Sequence, residues 1–180
     1  MLMLINIEIL DTMNIRYDWK TLYVGLSLDI MEIEEVSKYA TSLMSKESYV
    51  DNEFINELVW GVDGKLKGEL LSKMSYELDL KDLIEDSELW NFEVQKLRYC
   101  TLKFLRNTIK NNKELLKKVS EIYADFGYPS EMEGFIPYMP PKDGYDPTKY
   151  SVEENYAHMV KIFDVFLERE KELIGNEVRN

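Results

Sequence analysis

The sequence predicts an all-α (mainly α) fold, an irregular multi-helix bundle with one ordered proline- and aromatic-rich loop before its C-terminal helix. Three observations predict it. Apolar residues recur at helical spacing along most of the chain, Asp and Ser stand where helix N-caps are needed, and all five prolines fall between residues 127 and 150.

The first stretch departs from the helical rhythm. Leu4 to Leu10 alternates Ile5, Ile7 and Ile9 with Asn6 and Glu8, the period-2 pattern of a half-buried strand. No second strand is available to pair with it, and a lone strand is unstable. An irregular arm, a helix extension and a contributor to an intermolecular sheet are its other readings.

From Asp18 the period becomes helical, with Asp18 as N-cap of a short segment through Trp19, Leu22, Tyr23 and Leu26. Asp29 is expected to cap the next helix, whose apolar face is Ile33, Val36, Ala40, Leu43 and Met44 and whose end lies near Lys46. Asn52 to Trp60 repeats the pattern with Phe54, Ile55, Leu58 and Val59. Gly61-Val62-Asp63-Gly64 then supplies a stop and the next cap, before Leu66, Leu70, Leu71, Met74 and Leu78.

The longest central helix is expected from Ser87 to about Asn111, with Leu89, Leu97, Cys100, Phe104, Leu105 and Ile109 inward. After Asn111-Asn112 a further helix buries Leu115, Leu116, Val119, Ile122, Tyr123 and Phe126 and stops at Gly127 and Pro129. Residues 127–150 carry Tyr128, Phe135, Tyr138, Tyr145 and Tyr150 among the prolines, which points to an ordered connection pinned by aromatic packing. Ser151 and Glu154 have capping-box spacing ahead of the last helix. Its inward residues are Tyr156, Met159, Val160, Phe163, Phe166, Leu167, Leu173 and Ile174, and Gly175 is its expected end.

The 180 residues suit one helical domain, with 45% apolar residues to drive collapse and 31% charged residues to keep the surface solvated. A net charge of −12 opposes attraction to nucleic acid and to anionic membranes, so a basic or neutral protein is the expected partner. The charge is uneven. Residues 1–60 hold 4 basic and 11 acidic side chains, residues 61–120 hold 12 and 10, and residues 121–180 hold 6 and 13. Acidic ends packing beside a weakly basic centre would moderate their own repulsion. The single cysteine, Cys100, excludes an internal disulfide and a cysteine-built zinc site, and with no signal-peptide pattern a cytoplasmic setting is expected.

Candidate chemistry is sparse, and no catalytic residue, cofactor or metal site is assigned. His158 follows Glu154 by four residues, so the two could share a helix face, yet they make only two metal ligands. Cys100 could be a nucleophile activated by His158, but its place beside Leu97 and Phe104 is that of a core cysteine. Asp125, Glu131, Glu133, Asp143 and Asp146 surround the aromatic loop, where a pair could act as acid and base. Lys96, Lys103 and Lys110 recur every seven residues and could bind phosphates, although internal charge pairing accounts for them better.

The run Tyr123-Ala124-Asp125-Phe126-Gly127-Tyr128-Pro129, followed by Phe135-Ile136-Pro137-Tyr138-Met139-Pro140, resembles an uncharacterised bacterial family of domains of unknown function. The resemblance extends to Asp18-Trp19 and Gly25-Leu26. Small acidic proteins of this kind are also similar to the immunity proteins encoded beside bacterial polymorphic toxins, which implies a basic toxin domain as partner. The leading expectation is a non-catalytic binding protein whose surface includes Tyr128, Tyr138, Asp143, Tyr145 and Asp146, with Trp19, Trp60 and Trp90 as further anchors where exposed. A small hydrolase using loop carboxylates with His158, and a protein self-associating through its N-terminal arm, are the alternatives.

Overall fold

The structure is a computed structural model that describes residues 4–46, 51–62, 64 and 66–177. All regular structure among the described residues is helical, as the sequence predicts, and it divides into two compact units, residues 4–97 and 98–177.

The first unit begins with α1 (Ile7–Thr12) where the sequence pattern suggested a strand. Asn6 decides the matter: its side chain accepts a hydrogen bond from Ile9 N and caps the helix, which turns Ile7 and Leu10 to one buried face. Ile5 is buried within this unit and its N–H bonds Ile30 O.

α2 (Trp19–Ser27) has Asp18 as its N-cap, and Thr21 returns the bond to complete a capping box. Asp29 does not cap α3 (Glu34–Lys46). It sits at φ 58, just past the end of α2, where Ile30 N bonds back to Gly25 O in the Schellman manner. Gly25 has a packing role as well, since a Cβ there would stand 2.7 Å from Met31 Sδ.

α4 (Glu53–Val59) packs on α3 and α5 (Lys67–Glu77) on α2. Asn52 caps α4, and Gly61 at φ 112 follows its end. Leu66 occupies the N-cap position of α5 without a side-chain bond and is exposed, so the helix starts past the Gly61-Val62-Asp63-Gly64 stretch expected to cap it, of which Asp63 lies outside the described residues.

α6 (Glu88–Thr108) contributes its first ten residues to this unit and the rest to the second. Its pattern is not amphipathic in the middle: every residue from Lys96 to Leu102 is buried, Leu89 is exposed, and Phe104 and Ile109 are half-buried. The buried Lys96 is possible because its ammonium meets Glu93 Oε2 at 2.7 Å and donates to Thr21 Oγ1 (3.0 Å) and Arg16 O (3.3 Å). Thr21 in turn donates to Glu93 at 2.7 Å. Burial pushes the Glu93 carboxyl above its ordinary range, against the downward pull of Lys96 and Thr21.

In the second unit α7 (Asn112–Asp125) and a 3-10 turn (Ser130–Phe135) pack on α8 (Val152–Glu177). The Ser151–Glu154 capping box forms as expected, with Ser151 N donating to Glu154 and Glu154 N to Ser151. Leu173 is exposed and Glu170 is buried in the inward row, where it accepts from Arg98 at 3.0 Å. Gly175 lies inside α8. A glycine costs a helix only about 1 kcal/mol, and buried Ile174 holds that turn in place.

The internal charge pairing expected of the basic centre is realised for Lys96 and Lys103, whereas Lys110 donates to Asn107 O. Arg98 bridges Glu131 and Glu170, Arg106 forms a two-pronged pair with Asp164, and Lys103 reaches Glu168 at 3.8 Å.

Removing one partner of a buried pair leaves a charge without its counterion. Lys96→Met is therefore expected to cost about 3 kcal/mol in urea unfolding, against about 0.5 kcal/mol or less for Lys103→Met, whose pair is long and solvated. Similar losses in the two variants would contradict this account.

Candidate functional site

The loop before α8 is built on two consecutive left-handed residues. α7 ends at Gly127 (φ 73) and Tyr128 (φ 61), with Tyr128 N bonded to Tyr123 O and Gly127 N to Ala124 O. Glycine adopts this conformation freely. For a bulky tyrosine it is an outlier that costs on the order of 1 kcal/mol or more. What it achieves is placement: Tyr128 and Tyr138 both lean on the ring of Tyr123, at 5.3 and 6.4 Å, while staying 62% and 63% exposed. In the same loop Met132 and Phe135 are fully buried, and Phe135 packs against Phe163 and Phe166 at 5.0 and 5.1 Å. Tyr123, against which both exposed tyrosines rest, is itself buried.

Further along, Asp143 organises a second cluster. It accepts Tyr145 N at 3.1 Å and His158 Nε2 at 2.7 Å, and Tyr145 lies flat on the His158 ring at 3.8 Å and 8°. Tyr150 stacks on the other partner, Tyr145, at 4.9 Å, extending the pile to three rings. Tyr145 Oη donates to Asn155 Oδ1, and Asn155 Nδ2 donates to Pro147 O, which ties the loop to the first turns of α8. The Tyr145 N–H, then the His158 bond, hold the Asp143 carboxyl below the usual 3.8. A cavity of about 80 Å³ lies alongside, lined mainly by apolar groups such as Pro137, Met139, Met159 and Ile162, with His158 and Tyr145 at its wall.

The structure brings together part of the surface expected from the sequence. Tyr128 and Tyr138 form one exposed pair and Asp143 and Tyr145 belong to the ring stack. Asp146 caps the short 3-10 turn Pro147–Lys149 through Thr148 and pairs with Lys149. His158 pairs with Asp143 and not with Glu154, because Glu154 is taken by the capping box. The remaining loop carboxylates are dispersed, Glu131 to Arg98 and Glu133 to Lys142. Cys100 is completely buried, which removes it as a nucleophile. No group of three metal-ligating side chains occurs among the described residues. Of the tryptophans, Trp90 is buried, Trp19 is half-buried and Trp60 is 91% exposed.

A groove in the first unit, lined by Arg16, Tyr17, Tyr39 and Lys46, was missed by sequence reasoning. The i, i+4, i+7 spacing of Tyr39, Leu43 and Lys46 was its one available signal, and nothing local joins that stripe to Arg16.

Residues 7–171 match the family DUF2247, uncharacterized proteins conserved in bacteria. The chain belongs to that family. The matched span takes in the whole loop and both aromatic clusters, and the family's description names no reaction. No curated protein and no solved structure matches the chain.

Two outcomes test the Asp143 cluster. His158 is the chain's one histidine, so its ring protons are assignable without ambiguity, and the Tyr145 ring current should hold them upfield; Tyr145→Leu should return them toward their free positions in a ¹H–¹³C spectrum. The second is a linkage. Asp143 is depressed on folding, so its contribution is present above 3.8 and lost as pH falls through the lower folded value. The stability gap between wild type and Asp143→Asn should be measurable at about pH 6 and should shrink as the pH falls below 3.8.

Proposed function

We propose that the chain is a non-catalytic protein-binding protein whose Tyr128–Tyr138 face docks a basic protein surface. Its biological form on this reading is an immunity protein that covers a bacterial toxin domain in the cytoplasm. The observation that carries the proposal is the pair itself: two exposed tyrosines resting on the buried Tyr123 ring, one of them held at an unfavourable backbone angle. Rigid aromatic groups lose little entropy on docking and are favoured as interface anchors. A net charge of −12, with Asp125 exposed nearby in sequence, suits a basic counterpart and speeds encounter.

The Asp143–His158 contact favours a second reading, a small hydrolase with His158 as base and Asp143 as its orienter. Against it stand the small cavity and the absence of any Ser, Thr or Cys among the residues that line it.

Co-expression with the product of the adjacent gene, followed by calorimetry, separates the two. Binding should weaken with added salt, and Tyr128→Ala with Tyr138→Ala should cost about 2 kcal/mol or more, roughly thirtyfold in affinity, while His158→Ala leaves it unchanged. No binding at low salt would sink the immunity reading.

A further inference from the structure

Residues 1–60 are the most one-sidedly acidic part of the chain, with 4 basic against 11 acidic side chains. Two of the four cations are spent locally: Lys20 pairs with Asp18 and Lys38 with Glu35. The other two, Arg16 and Lys46, form no ion pair among the described residues, and both line one open groove of about 450 Å³. Asp11 is the one acid among the described residues of its wall, and one of its oxygens accepts the Tyr17 hydroxyl at 3.1 Å. The lining is therefore net positive within a strongly negative segment.

The groove is aromatic as well as cationic. Tyr17 and Tyr39 meet at 5.4 Å with their planes 55° apart, and Trp19 braces Tyr39 edge-on at 4.6 Å. Leu43 adds an apolar patch one turn along α3 from Tyr39. Its walls are fixed from below. The chain reverses at Asn14, which is left-handed at φ 55, with Ile15 N bonded to Leu10 O, and the buried Lys96 ammonium donates to Arg16 O. The Arg16 backbone is thus anchored while its side chain remains exposed. Burial, then the bond to Asp11, pushes the Tyr17 hydroxyl up to about 12, so at neutral pH it stays a neutral donor and adds no negative charge.

We propose that this groove binds a small aromatic phosphate of nucleotide size, its phosphate between Arg16 and Lys46 and its ring against Tyr17 and Tyr39. A volume of about 450 Å³ exceeds what a lone phosphate fills and lies within the range of about 300–1,000 Å³ that small-molecule sites occupy. Two cations match a dianion, and Arg16 can present a fork of donors to its oxygens. The flat faces take a ring by stacking. This site is independent of the Tyr128–Tyr138 face and extends the chain's function beyond it.

The test uses adenosine 5′-monophosphate as probe, with adenosine and inorganic phosphate as its two halves, followed by calorimetry and by the fluorescence of a Trp60→Phe, Trp90→Phe variant that retains Trp19. The monophosphate should bind at least about tenfold more tightly than either half. Arg16→Gln and Lys46→Gln should each weaken it about fivefold or more, and added salt should weaken it further. Asp11→Asn should tighten binding, a gain that misfolding cannot produce. Equal affinity for inorganic phosphate and the monophosphate, indifference to Arg16→Gln and Lys46→Gln, or no binding up to about 5 mM would each overturn the proposal.

Discussion

Lys96 and Arg98 stand two residues apart on α6, and both are buried, at 5% and 7% exposure. A cation taken out of water costs several kcal/mol unless it is met by an opposite charge and by hydrogen bonds in good geometry. Each unit therefore has to supply acceptors at fixed points. In the first, Glu93, Thr21 and the carbonyl of Arg16 converge on Lys96; in the second, Glu131 and Glu170 converge on Arg98, whose guanidinium also lies 5.8 Å from the Phe166 ring. These requirements position the start of α2, the 3-10 turn after α7 and the C-terminal part of α8. The buried charges specify an arrangement more than they add stability, since an apolar pair of similar size would fill the same volume at less cost.

The surface features follow from that framework. With Arg16 held through its carbonyl, its side chain and that of Tyr17 are presented beside α3. With Glu131 tied to Arg98, and Met132 and Phe135 sunk into the core of the second unit, the loop has little freedom, and Tyr128 and Tyr138 are displayed without needing contacts of their own beyond Tyr123. A left-handed tyrosine is tolerated there because its neighbours over-determine the turn. Loops placed on rigid scaffolds in this way are where proteins concentrate recognition.

The caps and helix faces were largely legible in the sequence. Asp18 and the Ser151–Glu154 pair act where their spacing put them, because capping is a contact between residues two or three apart, and the structure adds Asn52 and Asn111 as caps of the same kind. The same locality explains the misreadings. Ile5, Ile7 and Ile9 alternate as in a strand, yet Asn6 caps a helix whose buried residues are Ile7 and Leu10. Asp29 is an apt N-cap by type, but the Schellman closure of α2 claims it first. Of the candidate surface, Tyr128 and Tyr138 were visible as aromatics in a helix-breaking stretch. That His158 would choose Asp143 over Glu154 was not, since the choice depends on a fold-back of fifteen residues.

By itself, then, the sequence determined the all-α class, the starts of α2 and α8, the order of the segments and the acidic balance with its weakly basic centre, because each rests on composition or on contacts within about one turn. Tertiary structure alone decided which polar residues are buried, which aromatics remain in solvent and which cations keep their charge free. Lys96 and Lys46 are the same residue type on helices of similar character, yet one is enclosed by Glu93, Thr21 and Arg16 O while the other lines an open groove. The difference lies in what packs around each site, and desolvation is a property of that surrounding and of no single residue.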